Sequence, residues 1–103
     1  MGGLLEAKRV HDLCHARGVP VWCGGMHEFG IGRAANVAIA SLPGFSLAGD
    51  VSGSDKYYWE DVVDPPVLAR RGAVPVPTSP GIGHEPNAER IARHTLRALT
   101  LSS

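Results

Sequence analysis

Two short apolar segments, residues 19–23 and 45–48, set the architectures that this chain can adopt. Each follows a segment with helical character: residues 4–17 repeat apolar side chains at helical spacing, and residues 33–41 are rich in alanine. A short, nearly continuous apolar run is typical of a strand that is buried on both faces of a parallel sheet. The order helix, strand, helix, strand therefore predicts an α/β fold with a parallel sheet.

The second half of the chain has a different character. A polar loop with aromatic residues occupies positions 49–59, and residues 61–86 hold six of the eight prolines. Because proline cannot donate to a strand ladder, we expect this stretch to run extended, with at most an edge strand and no core of its own. Residues 86–101 return to helical spacing, and Asn87 is the predicted N-cap.

Composition excludes several classes of partner. The 10 basic and 10 acidic residues balance and form no run of like charge, so we expect neither a nucleic-acid surface nor a membrane anchor. The longest apolar stretch, residues 34–42, is far shorter than the roughly 20 residues of a membrane helix. Charged residues interrupt the N-terminal segment, and the two cysteines form no CxxC motif, so we expect a cytoplasmic protein.

His11 and His15 have the spacing that places two imidazoles on one helix face, and Asp12 lies between them. Such a pair binds zinc in some enzymes, but no third ligand is evident here. The pair also falls on the polar side of the predicted helix. We therefore interpret these residues as two solvated histidines.

Residues 30–35 (GIGRAA) fit the G-x-G-x-x-A pattern of dinucleotide-binding proteins, and Asp50 follows the next predicted strand. The true motif begins at the strand end, whereas Gly30 comes seven residues after Cys23. Two interpretations stay open: a non-catalytic nucleotide-binding module that uses Gly30, Gly32 and Asp50, or glycines that serve turns and close packing.

Three acidic residues, Glu28, Asp50 and Asp55, follow the predicted strands. Open α/β sheets and (β/α)8 barrels place their chemistry at the carboxyl ends of strands, so position alone makes these residues site candidates. The alternative is that Asp50 and Asp55 stabilise turns in a loop rich in glycine and serine.

A set of segments in a fixed order extends over nearly the whole chain: 2–7 (GGLLEA), 19–26 (VPVWCGGM), Glu28, 30–38 (GIGRAANVA), 41–43 (SLP), 49–50 (GD), 52–57 (SGSDKY), 75–78 (PVPT) and 80–83 (PGIG). Together they resemble the C-terminal part of the o-succinylbenzoate synthase and N-acylamino acid racemase group. This group lies in the muconate-lactonizing-enzyme branch of the enolase superfamily. The resemblance is far more specific than the short glycine motif that it contains.

The resemblance implies a TIM-type (β/α)7β barrel with a capping domain. A barrel of this kind takes about 250 residues, so this chain is expected to be an incomplete, C-terminal segment of one. Residues 1–60 would be the last two strands with their helices, and residues 61–103 a return segment toward the capping domain. We interpret Met1 as a fragment or gene-model boundary. The missing N-terminal part of the same enzyme is then the expected partner, within a parent that forms a homo-oligomer, and we expect poor stability in its absence.

The family chemistry implied by the resemblance is proton abstraction α to a carboxylate by a lysine, with Mg²⁺ stabilising the enediolate that forms. The resemblance places the lysines and the metal ligands upstream of Met1, so no catalytic or metal role is expected in this chain. What it implies here are residues that line the pocket for a small carboxylate substrate: Gly24, Gly25, Met26, His27 and Tyr57, with Glu28 and Asp50 ordering loops or polar groups of the substrate.

The chain departs from the commonest racemase pattern at His27 and Phe29, where an aliphatic residue and a small hydroxyl residue are frequent. A polar imidazole suits a substrate with a second carboxylate better than one with an apolar acyl chain. The resemblance therefore favours the synthase reaction, dehydration to o-succinylbenzoate for menaquinone synthesis. The racemase reaction stays the alternative.

Overall fold

The structure is a computed structural model that describes residues 2–101; Met1, the expected boundary, lies outside the described residues. The elements in chain order are helix α1 (Leu4–Ala16), helix α2 (Gly30–Ala40), a 3-10 turn (Ser54–Lys56), strand β1 (Val63–Asp64), strand β2 (Glu85–Pro86) and helix α3 (Ala88–His94). None of the helices in this described range is long and apolar enough to cross a membrane.

Helix α1 confirms the helix predicted from apolar spacing to within one residue of its end. Gly18 adopts the left-handed conformation, with φ of 66°, and its N–H donates to the carbonyl of His15 at 3.0 Å. Glycine adopts this conformation without a steric penalty, so it ends the helix where predicted. The predicted apolar face stays exposed, however, and the residue that α1 buries is His11.

The interpretation of both histidines as solvated is wrong for His11, which is 4% exposed. Its Nε2 accepts a hydrogen bond from the N–H of Gly44 at 3.0 Å, so Nδ1 carries the proton and donates to Asp12 at 2.9 Å. The ring stacks on Phe45 and on His15, which is itself exposed. His11 therefore attaches α1 to the turn that follows α2.

Helix α2 begins at Gly30, three residues before the predicted start. The extra turn forms because the buried carboxylate of Asp61 accepts a hydrogen bond from the N–H of Gly30 at 2.7 Å. A negative group at this end of a helix satisfies a free backbone donor and interacts favourably with the helix dipole. The two segments predicted as parallel strands do run in the same direction, but they do not form a regular ladder.

The two segments predicted as strands, 19–23 and 45–48, lie side by side without forming a regular ladder. Val21 donates to the carbonyl of Gly44 and accepts from the N–H of Leu47, and the carbonyl of Cys23 accepts from the N–H of Asp50. The order of these bonds shows that the segments run in the same direction. A regular parallel ladder bonds one residue to two partners that are two positions apart, whereas the partners of Val21 are three apart. The assignment of regular strands was wrong for this reason.

The proline-rich segment forms an antiparallel pair, β1 with β2, in which Val63 lies opposite Pro86 and Asp64 opposite Glu85. Its apolar residues do not form a core of their own, as predicted. Val67 instead packs against Ala34 and Val37 of α2, with Val51 and Val74 beside them. The segment therefore covers one side of α2 and brings Asp61 to the start of that helix.

Helix α3 is shorter than the predicted helix of residues 86–101. The predicted N-cap is confirmed, since the side chain of Asn87 accepts from the N–H of Arg90 at 3.0 Å. After His94 the backbone becomes extended at Thr95, and Leu96 and Leu99 project into solvent. An apolar helix face gives little stability when no surface lies against it, which explains the early end.

Candidate functional site

Two loops meet beside the start of helix α2. The first loop, residues 24–29, follows the segment 19–23, and the second loop, residues 49–59, follows the segment 45–48. All seven residues predicted to contact substrate lie on these loops: Gly24, Gly25, Met26, His27 and Glu28 on the first, and Asp50 and Tyr57 on the second. The seven predicted residues therefore lie on two loops that the fold brings into contact.

The backbones of the two loops touch at Gly25. A Cβ placed on this glycine would lie 1.8 Å from the carbonyl oxygen of Asp50, so no other residue fits without separation of the loops. Asp50 also donates its backbone N–H to the carbonyl of Cys23 at 2.8 Å. The contacts of Asp50 in this region are thus made by its backbone, and its side chain stays exposed.

An aromatic cluster joins the loops farther along. The ring of His27 lies 4.4 Å from that of Tyr57 between centroids, and the ring of Phe29 stacks on that of Tyr58 at 4.1 Å. The hydroxyl of Tyr58 also donates to the carbonyl of His27. Paired rings at such distances add to the stability of the contact, so the two loops hold each other by stacking as well as by hydrogen bonds.

Glu28 holds the first loop in its shape. One carboxylate oxygen accepts from the backbone N–H of Met26 at 2.9 Å, and the other accepts from the side-chain amide of Asn36 at 3.1 Å. Burial, with the negative charge of Glu28 as the smaller cause, raises the pKa of the nearby Cys23 thiol. The Cys23 side chain is therefore a neutral thiol at neutral pH and not an activated nucleophile.

Sequence reasoning missed Arg33, whose side chain is fully buried between the loops. One terminal nitrogen donates to the carbonyls of Glu28 at 2.9 Å and Met26 at 3.3 Å, and the other donates to the carbonyl of Ser52 at 2.6 Å. The guanidinium carbon also lies 5.7 Å from the centroid of the Tyr57 ring. The available signal was a single charge at the start of an alanine-rich, apolar helix, where a charge needs partners from elsewhere.

Asp61 was missed as well, and its position argues against the nucleotide-binding alternative. Its carboxylate accepts from the backbone N–H of Gly30, from that of Val62 at 2.7 Å and from the hydroxyl of Ser54. In dinucleotide-binding proteins the pyrophosphate occupies this end of the helix. Here the chain's own carboxylate occupies it, and a Cβ on Gly30 would collide with Val63 and Asp61. The glycines therefore serve close packing.

A cleft of about 460 Å³ lies between α2, the second loop and residues 69–76. Asp50 is one of the seven predicted residues, and it lines this cleft together with apolar side chains such as Val37, Leu47 and Val74. The other six predicted residues lie elsewhere on the two loops. No group of three or more His, Cys, Asp and Glu side chains within residues 2–101 could hold a metal ion.

Comparison with known proteins gives the family context of this geometry. Residues 1–91 match the family described as Enolase C-terminal domain-like. The N-succinylamino acid racemase of an Amycolatopsis species is 54% identical over 103 residues, which are 100% of this chain and 28% of that protein. The o-succinylbenzoate synthase of Geobacillus kaustophilus is 50% identical over 95 residues, which are 92% of this chain and 25% of the synthase.

Solved structures agree with the sequence relatives. A member of the enolase superfamily from Listeria innocua superposes with a TM-score of 0.82 at 37% identity, covering 89% of this chain and 25% of that one. A muconate lactonizing enzyme from Klebsiella pneumoniae shares the fold with a TM-score of 0.80 at 24% identity, covering 93% of this chain and 27% of that enzyme. The chain thus spans about a quarter of the length of the proteins it matches. It belongs to the Enolase C-terminal domain-like family, and its architecture is a C-terminal part of an enolase-superfamily barrel.

Proposed function

We propose that this chain is the C-terminal part of an o-succinylbenzoate synthase-like enzyme and supplies walls of the substrate pocket. The observation that carries the proposal is the meeting of the two loops that hold all seven predicted pocket residues, which touch at Gly25 with Asp50 and again at His27 with Tyr57. Relatives named o-succinylbenzoate synthase, 45–50% identical over more than nine-tenths of the chain, support the same reaction.

The chemistry of the loops suits a substrate with a carboxylate at the end of a short chain. His27 offers a ring nitrogen beside Tyr57, and the ammonium of Lys56 lies 5.4 Å from the Tyr57 ring. These groups donate hydrogen bonds or carry positive charge, which attracts an anionic group. The part of these residues in the reaction is to bind and orient the substrate and to keep water away from it.

The acid, the base and the metal ligands of the reaction are proposed to come from the remainder of the enzyme, not from this chain. Enolase-superfamily members generally use Mg²⁺, but the residues described here do not fit such an ion, because they form no suitable group of ligands. We therefore assign no step of the reaction to a metal held by this chain.

N-succinylamino acid racemization is the second candidate. The Amycolatopsis relative with this name is 54% identical over the full chain. Both candidate reactions involve a succinyl group, as the names of the two kinds of relative state, so the same walls can serve either. Which reaction follows then depends on the groups that the remainder of the enzyme supplies.

A pair of chimeras tests the proposal. In one, this chain replaces the matching segment of the Geobacillus synthase; in the other, it replaces the matching segment of the Amycolatopsis racemase. We expect the first chimera to form o-succinylbenzoate and the second to racemize an N-succinylamino acid. Chimeras that fold, with thermal midpoints near those of the parents, but lack both activities would contradict the proposal.

The contribution of His27 is tested in the synthase chimera. We expect His27→Ile to lower kcat/KM about tenfold, which corresponds to about 1.4 kcal/mol of transition-state binding. The matched control is His15→Ile, which changes an exposed histidine on helix α1 and should leave kcat/KM unchanged. Equal values for both variants would remove His27 from the proposed pocket.

A further inference from the structure

Arg33 makes hydrogen bonds to both pocket loops at once. Its two terminal nitrogens point to different loops: Nη2 donates to the carbonyls of Met26 and Glu28 in the first loop, and Nη1 donates to the carbonyl and hydroxyl of Ser52 in the second. The side chain has no exposed surface. It is therefore a fixed bridge between the loops and not a group that contacts substrate.

The shape of the guanidinium is essential to this bridge. Its donors form a planar, rigid fork, whereas a lysine ammonium is a single point at the end of a flexible chain. The buried charge is compensated by the carboxylate of Glu28, 3.9 Å away, and by three backbone carbonyls. Lysine could keep the charge and bond to one loop but could not reach both with the same geometry.

We propose that Arg33 is a positioning residue that fixes the separation of the two loops and thereby sets which acyl group the pocket accepts. This inference rests on the proposed function, because it takes the loops as pocket walls. The two loops are held at two points. The first is the contact of Gly25 with Asp50, and the second is Arg33 with the adjacent Tyr57 ring. A shift of about 1 Å between binding groups is enough to change turnover strongly.

A change in selectivity distinguishes positioning from a general structural role. A variant that only unfolds part of the enzyme lowers the apparent kcat for every substrate by the same factor and leaves KM unchanged. A variant that moves one pocket wall changes KM and changes it differently for acyl groups of different size and charge. The informative quantity is therefore the ratio of kcat/KM values for two substrates.

The test uses Arg33→Lys in the racemase chimera, with an N-succinylamino acid and the N-acetylamino acid of the same side chain as substrates. We expect the KM for the succinyl substrate to rise about tenfold and the succinyl-to-acetyl ratio of kcat/KM to fall about fivefold or more. The matched control is Arg90→Lys, because Arg90 also donates to two backbone carbonyls, those of Asp61 and Val63, at a place outside the loops. It should lower the thermal midpoint and leave the ratio unchanged.

Each outcome decides the proposal. An Arg33→Lys ratio equal to that of the unsubstituted chimera, or to that of Arg90→Lys, overturns the positioning role. If Arg33→Lys does not fold, Ser52→Ala replaces it, since this variant removes one acceptor of Arg33; we expect a decrease of the ratio of about twofold, and no decrease overturns the proposal. An unsubstituted chimera that folds without activity refutes the proposed function instead, so the two failures are distinguishable.

Discussion

We predict that this chain does not fold cooperatively in isolation. The structure exposes 7530 Å² of surface. A compact protein of 10.9 kDa exposes about 5,600 Å², from the scaling of surface with mass. The excess is about 1,900 Å², and it includes large apolar side chains: Leu5, Trp22, Met26, Trp59, Leu96, Leu99 and Leu101.

The size of this excess surface is that of a protein interface. Each partner in a stable protein interface buries about 800 Å², so the uncovered surface is more than twice that of one interface side. The radius of gyration of 15.2 Å also exceeds the roughly 13 Å of a compact chain of this length. We propose that the remainder of the enzyme covers this surface.

The assay is urea unfolding of the 103-residue chain, followed by far-UV circular dichroism and by the dispersion of amide NMR signals. Alone, the chain should show a broad transition and poorly dispersed signals, or should self-associate. Mixed with the part of the Amycolatopsis racemase that lies outside the match, it should give a single sharp transition. A monomeric chain that unfolds alone in one sharp transition, with a slope of about 1–3 kcal/mol/M in urea, would refute the reasoning.

Three further predictions concern the loops and the residues beside them, and can be measured in the chimeras. Asp61→Ala should lower the free energy of unfolding by about 3–5 kcal/mol, because buried donors lose their acceptor, whereas Asp61→Asn, which keeps one acceptor oxygen, should lower it by about 1 kcal/mol. The urea midpoints of the two variants compare these costs, and equal costs would contradict the role of the carboxylate. Gly25→Ala should lower kcat/KM about tenfold or more, because the added Cβ would displace the second loop. The control Gly2→Ala, whose added Cβ has no neighbouring atom within 4 Å, should leave kcat/KM unchanged. At pH 8 the Cys23 thiol should react with iodoacetamide more slowly than a free thiol, because its raised pKa leaves less thiolate, and Glu28→Gln should speed the reaction. Mass spectrometry of the labelled peptide measures the rate, and equal rates with and without Glu28→Gln would contradict this prediction.

The helices were predictable because their signals are local. Apolar spacing and Gly18 placed α1 to within a residue, and Asn87 correctly marked the start of α3. The early start of α2 was not predictable from its own residues, because the acceptor that supports it, Asp61, lies 31 positions away. The end of α3 depended likewise on whether a surface lies against its apolar side chains.

The candidate site divides in the same way. The candidate pocket residues were proposed from motifs that resemble a family, and the fold brings the loops that carry them together. Arg33 and His11 were missed because each occurs among residues that gave another interpretation: a glycine motif for Arg33 and a histidine pair for His11. Only the three-dimensional contacts show that Arg33 bonds across both loops and that His11 accepts from Gly44.

The bonds that Arg33 makes go mainly to backbone carbonyls, at positions 26, 28 and 52. A carbonyl is present whatever side chain a residue carries, so mutations at Met26 or His27 leave these acceptors in place. Evolution can therefore replace side chains on these loops while the frame that holds the loops is retained. A barrel built in this way can acquire a new substrate by few substitutions, which fits the occurrence of both synthases and racemases among relatives of such similar sequence.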